Sequence, residues 1–416
     1  MPPYLTKKQK VALVVALTMT IDTHHNKKKR IWSKQELLKK KQPNHMSLIK
    51  DLDSEDFRRS LRMDQDSFDM LLNLVRPHIT KRDTLMRQAV SAEDRLVLTL
   101  NYLALGKGYT DLANSSKISI QSISKIVPET CDAICKVLKS YVHIPETENE
   151  WLKIAKQYEK TWQFNHCVGS VGGRHILIVK PKQRPSQYHN YHGTFSVVLF
   201  AVVNAYYEFI YIHTGTEGSL SQGPILECTK FYEKLIEGEL NLPQASMLPR
   251  TKVLAPYVFV SEDGLGMDEY ILESYPQQEL THKKRIFNYR LSRAKRVVEN
   301  VFGILAARFR VFEKNILVDV QNVDKIIMAS CFLHNYLKRN SANYITSACV
   351  DYEDIENGTL RHGQWRKQKD LMPLQECDEQ GTRDDSTVKN VFTDYFNGPG
   401  SVHFQNKMLN VLNNTK

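Results

Sequence analysis

Cysteine is scarce in this chain and odd in number: seven in 416 residues, at positions 131, 135, 167, 228, 331, 349 and 377. No two form a CxxC pair, so neither a disulfide framework nor a zinc site is expected, and the pattern suits a reducing compartment. Cys131 and Cys135, four apart on an expected helix, read as packing residues. Long apolar runs are also missing. The run from Val11 to Ile21 falls short of the roughly 20 apolar residues that cross a bilayer. It follows Lys7, Lys8 and Lys10 but has no convincing small-residue cleavage site, so it reads as a short helix and not as a secretion signal. No internal repeat is present. Acidic residues are outnumbered, 46 against 57 basic ones, for a formal net charge of +11. That balance points to a polyanionic partner, nucleic acid before membrane.

What is present is an ordinary globular composition, 42% hydrophobic and 25% charged, long enough for about two to three domains. Residues 1–50 form a basic segment. Its clusters Lys27 to Arg30 and Lys39 to Lys41 fit a bipartite nuclear-import signal or, nearly as well, a solvated helix face. Residues 51–160 read as helical. Ser54, followed by Glu55 and Asp56, starts a helix whose apolar positions run from Phe57 to Val75, and Pro77 ends it near His78. A second helix runs from Glu93 to Leu105 and stops at Gly106 and Gly108. Tyr109 to Cys135 has the spacing of a helix-turn-helix, with Gln121, Ser122 and Lys125 outward; two packed bundle helices explain it equally well. Pro128 should kink the second helix.

Strand signals begin after Trp162: Ile176 to Val179, Phe195 to Val203, Phe209 to His213 and Tyr257 to Val260, with Asn204 to Tyr206 as a hairpin turn. Gly172 and Gly173, adjacent to the first strand, suggest a turn or a close backbone approach. Helices are expected over Lys230 to Glu237, Thr281 to Phe312 and Val323 to Arg339. The segment after Asn340 is polar and reads as largely tail, with a docked stretch near Val391 to Gln405. Thr281 to Phe312 carries Lys283, Lys284, Arg285, Arg290, Arg293, Lys295 and Arg296, a candidate phosphate-contacting face, and one acid, Glu299. That carboxylate is either an intrahelical partner of Lys295 or Arg296 or a metal ligand facing a site. Strands, hairpin and helices in this order describe an α/β mixed sheet flanked by helices. Carboxylates placed after two strands and on a helix could hold two divalent metals for phosphodiester cleavage, magnesium or manganese being natural for oxygen ligands.

The stretches CVGSVGGRHILIVKP, YHNYHGTFSVVLFAVVNAYYEFIYIHTGTEGS, YVFVSEDGLGM, RIFNYRLSRAKRVVENVFGILAARFRVF and KIIMASCFLHNYLKR resemble the PIF/Harbinger transposase family over about residues 90 to 340. The resemblance implies an RNase H-like core over 161–340, preceded by an all-α, helix-turn-helix-like domain and followed by the tail at 341–416. It implies an Asp-Asp-Glu triad with divalent metal, action on DNA in the nucleus and a Myb/SANT-like accessory protein; that no membrane is a partner is expected from the charge and the short apolar run instead. The family's first aspartate falls at Gly172, a lost ligand position. The second falls at Glu262, with Asp263 beside it as a stand-in, and the third at Glu299. Further family acids fall at Asn204, His213 and Gln222, and His175 is the nearest side chain that could reach a vacant site. With the first carboxylate gone, the expectation is a DNA-binding chain with impaired cleavage. The alternatives are an active nuclease rebuilt on Glu262, Asp263 and Glu299, and a nuclear scaffold for a Myb-like partner.

Overall fold

A computed structural model describes residues 53–84, 88–262, 264, 269–277, 280–367, 371–375 and 387–414. The basic segment, with both lysine clusters and the Val11 to Ile21 run, lies outside these residues, as does Asp263. The amino-terminal helices are α1 (Ser54–Leu61), α2 (Gln65–Ile79), α3 (Ala92–Leu105), α4 (Tyr109–Ser116), α5 (Ile120–Val137) and α6 (Glu148–Trp162). The helix expected from residue 51 to 78 is two helices. Arg62 adopts a left-handed conformation and closes α1, and the Asp64 side chain then caps α2 by accepting from the Ser67 amide. A cap costs less than forcing both apolar faces onto one axis. Helix α5 continues past Pro128. The proline's missing donor would have served the Ser124 carbonyl, and Ser124 is exposed, so water can serve it.

The sheet follows. Its strands are β1 (Cys167–Leu177), β2 (Ser196–Val203), β3 (Phe209–Glu217), β4 (Ser246–Met247), β5 (Leu254–Ala255), β6 (Val258–Ser261) and β7 (Ile271–Leu272), with α7 (Gln222–Glu227) and α8 (Lys230–Ile236) after β3. The main sheet has the order β3-β2-β1-β6-β7. The first three strands are antiparallel, while β6 runs parallel to β1 and β7 parallel to β6. Every residue of β2 is buried, as its unbroken SVVLFAVV run requires of a strand covered on both faces. One cover is α9 (His282–Arg308), held to β1 where the Ser170 hydroxyl donates to the Lys295 carbonyl. Trp151 of α6 and Phe231 of α8 pack edge-on against Phe259 of β6 on the other face.

Beyond α10 (Val320–Asn340), the stretch expected as a polar tail contributes to the body. It forms the hairpin β8 (Tyr352–Asp354) and β9 (Thr359–Arg361), the short strand β10 (Met372–Pro373), and the helices α11 (Thr387–Asn397) and α12 (Gln405–Asn414). Its Glu353 meets Arg293 and Arg296 of α9, a pairing that composition alone does not reveal. The glycine pair also departs from expectation, since Gly172 and Gly173 lie inside β1, not in a turn. Strand β6 pairs with β1 as far as Val171, and β10 takes over the same edge at Arg174 and His175. The pair therefore sits at the seam between two partner strands.

Two buried histidines give the fold an acid liability. His334 lies between the Tyr207 carbonyl and the Tyr344 hydroxyl, and His175 pairs with the Ser196 hydroxyl. Burial pushes both down to about 4. Their folded values lie below the unfolded one, so the unfolded chain takes up protons first. Stability is full above about pH 6.5 and should fall as pH drops toward 4, by at most about 1.4 kcal/mol per pH unit for each histidine. Urea unfolding across that window checks this; His175→Asn should flatten the slope.

Candidate active site

Residues 172 and 174 of β1 point to the α9 face, and 173 and 175 to the opposite face. A Cβ added at Gly172 would lie 3.2 Å from the Glu262 carboxyl carbon, 3.3 Å from its Oε2 and 3.2 Å from Val298 Cγ1. The empty side of Gly172 thus faces Glu262 and the helix turn that carries Glu299. A Cβ at Gly173 would meet Leu374 of the carboxy-terminal segment. Neither glycine is there for flexibility: one leaves room for a carboxylate, the other for a leucine.

Glu262, the first residue past β6, is only 8% exposed. Its Oε2 accepts from Arg174 Nη1 at 2.6 Å, and the same nitrogen donates to the Gly173 carbonyl at 2.7 Å. The Arg174 guanidinium also lies 5.0 Å from the centroid of the Phe302 ring of α9. The carboxylate is neutralised by a cation two residues along the strand from Gly172. The longer glutamate side chain reaches Arg174 through space that a side chain at 172 would crowd.

Glu299 is half-buried on α9, and its Oε2 pairs with Arg366 Nη2 at 3.3 Å. Of the intrahelical partners expected, Arg296 instead binds Glu353 at 2.8 Å, and Glu299 turns to the carboxy-terminal segment. Arg366 is itself fixed by Asp351, to which Nε donates at 3.0 Å and Nη2 at 2.6 Å. Burial works to raise the Asp351 carboxyl. Hydrogen bonds from Arg366 and the Gly363 amide, with the charges of Arg366 and Arg296, outweigh it and hold the group below the usual carboxylate range. Next to Arg366, Trp365 packs against Gly303 and donates to Asn300 Oδ1 at 2.9 Å.

These donors do not fit a two-metal centre. The first position has no side chain, and among the described residues the two expected acids, Glu262 and Glu299, each face an arginine. Among the described residues no group of three His, Cys, Asp or Glu side chains is placed to hold a metal ion. His175 points away from Gly172, with Nδ1 2.9 Å from the Ser196 hydroxyl, so it does not fill the position. The other expected acid positions have structural work. Asn204 Oδ1 caps the β2–β3 turn by accepting from the Tyr206 and Glu208 amides. His213 pairs with Thr216 within β3, and Gln222 donates to the Leu374 carbonyl.

The basic residues divide into two sets. Arg290, Arg293 and Arg296, expected on a phosphate-contacting face, are 1%, 4% and 7% exposed. Arg293 and Arg296 share Glu353 at 2.7 and 2.8 Å, and Arg290 donates to the carbonyls of Gln163 and Gly400 and to Gln405. Buried and committed within the chain, these three cannot also take phosphate. Lys125, Lys283 and Arg285 are exposed, while Lys284 and Lys295 are half-buried. Lys283 lies 3.4 Å from Asp394 of α11, and Lys284 sits over the Tyr275 ring. Arg174 and Arg366 are the functional residues that sequence reasoning missed. Arg174 stood inside the glycine motif, whereas Arg366 was hidden in a segment read as tail.

Residues 171–335 match a family model described as DDE superfamily endonuclease. The chain is 23% identical to "Protein ALP1-like" of Arabidopsis thaliana over 293 residues, 68% of this chain and 71% of that protein. It is 22% identical to "Putative nuclease HARBI1" of Rattus norvegicus over 261 residues, 61% of this chain and 69% of that one. No solved structure matches.

The Arg174–Glu262 pair has a measurable weight. Arg174→Ala strands a buried carboxylate and should cost about 3–5 kcal/mol in urea unfolding, whereas adding Glu262→Gln should recover part of it. Additive losses in the double variant would mean that the two side chains do not depend on each other.

Proposed function

We propose, for a chain that carries a DDE superfamily endonuclease domain and is related to the Harbinger transposase-derived proteins, that it binds DNA on a nuclease scaffold while cleaving it little or not at all. One observation carries this reading: the open side of Gly172 faces a Glu262 already neutralised by Arg174, with Glu299 likewise held by Arg366. The strand order, with three antiparallel strands and two more added parallel to the first, supports an RNase H-like core. In such a core a triad would hold metal, a reading supported here by Gly172 lying open toward Glu262 and toward Val298, the neighbour of Glu299. Family chemistry calls for magnesium or manganese; these side chains have traded that divalent charge for two guanidinium groups. A misplaced or missing catalytic group ordinarily costs a hundredfold or more.

DNA binding rests on the net charge of +11 and on the exposed Lys125, Lys283 and Arg285. A helix-turn-helix role for α4 and α5 is supported by the tight turn at Lys117 to Ser119 and by the exposure of Gln121 and Lys125. Nuclear residence is supported by the two lysine clusters of residues 27–41. A Myb/SANT-like accessory protein is the partner that the family resemblance suggests.

Purified chain incubated with duplex DNA and manganese should cut no faster than Glu299→Ala. Cutting that disappears in Glu299→Ala overturns the impaired reading in favour of a rebuilt active site. Affinity for duplex DNA should fall steeply between low and physiological salt; binding insensitive to salt contradicts phosphate contact.

A further inference from the structure

The loop from Ile178 to Phe195, between β1 and β2, belongs to none of the roles above. No acidic residue occurs between Glu159 and Glu208, and the loop contains Lys180, Lys182 and Arg184, all exposed. Among the described residues no ion pair holds any of the three. They are followed by a built turn. Asn190 is buried, and its Oδ1 accepts from the His192 amide, the Thr194 amide and the Thr194 hydroxyl, while its Nδ2 donates to Ser196. That network holds an aromatic pair outward: Tyr191, 45% exposed, lies against the His192 ring with centroids 3.8 Å apart. The Tyr191 hydroxyl donates to the Pro373 carbonyl of β10, the strand that pairs with Arg174 and His175. The loop is therefore anchored beside the candidate site.

A solvated basic loop needs neither a buried asparagine network nor a large ring fixed at its surface. Three cations followed by a rigid aromatic platform match a phosphodiester backbone whose bases are unstacked and can lie on a ring. A fully paired duplex offers the charge but not the open base face. We propose that this loop is a contact for single-stranded or unpaired nucleic acid, with Lys180, Lys182 and Arg184 taking phosphates and Tyr191 stacking a base. The proposal rests on the nucleic-acid-binding reading above and adds which surface binds and which form of the polymer it prefers.

The test is fluorescence anisotropy of the full chain with a labelled single-stranded DNA and its duplex across a salt series. Tyr191→Ala should weaken single-strand binding at least about fivefold and leave duplex binding nearly unchanged. Tyr191→Phe, which loses the Pro373 hydrogen bond but keeps the ring, should bind like the parent. The triple variant Lys180→Gln, Lys182→Gln, Arg184→Gln should lower the slope of log affinity against log salt by about 2 on single strands. Circular dichroism confirms that the variants fold, since the changed side chains are exposed. If the parent binds nucleic acid and the triple and Tyr191→Ala variants match it, this proposal fails while DNA binding stands. If the parent binds neither polymer at low salt, both fail.

Discussion

A buried carboxylate without a partner costs several kcal/mol, and much of the candidate site can be read as the answer to that constraint. In a two-metal nuclease the metal ions supply the positive charge. In this chain the same positions keep two acids, and the positive charge comes from Arg174 in the strand and Arg366 in the carboxy-terminal segment. Each arginine is in turn fixed by further bonds: Arg174 by the Gly173 carbonyl and the Phe302 ring, Arg366 by Asp351. The helix behind them repeats the arrangement, with Glu353 between Arg293 and Arg296. Charge balance is thus achieved within the chain, by side chains drawn from residues about 190 positions apart.

On the reading proposed above, Gly172 connects this balance to impaired cleavage. A side chain there would press against the Glu262 carboxyl group, so the absence of a first carboxylate and the Arg174–Glu262 pair are two aspects of one local packing. Returning an aspartate to position 172 would set two carboxylates against each other unless a metal ion came with it.

Much of the sheet was legible because β2 is an unbroken apolar run and β3 follows it through a short polar turn at Asn204. The helices α9 and α10 were legible for the same reason, by periodicity. The candidate site was legible only through family resemblance, which singled out Gly172, Glu262 and Glu299; in the structure the open side of Gly172 meets Glu262 and Val298, the neighbour of Glu299. What could not be read was long-range pairing. Nothing local marks Glu353 as the partner of Arg293 and Arg296, or Arg366 as the partner of Glu299. Composition misled for the same residues: arginines that look like a DNA-binding face are buried because a distant acid meets them, and a polar stretch that looks like tail supplies that acid.

The seam on β1 has a consequence for how the molecule is made. The edge of β1 beyond Val171 is completed by β10, whose residues leave the ribosome some 200 positions after their partners. Until then the strand has an open edge beside Gly173, and Glu299 lacks Arg366. Pairings so distant in sequence close slowly and leave strand edges exposed to wrong partners. Synthesis of the last quarter of the chain is therefore the step that seals the sheet, and a chain cut short before β10 would lack α11 and α12 and leave Arg174 and His175 unpaired on one edge of β1.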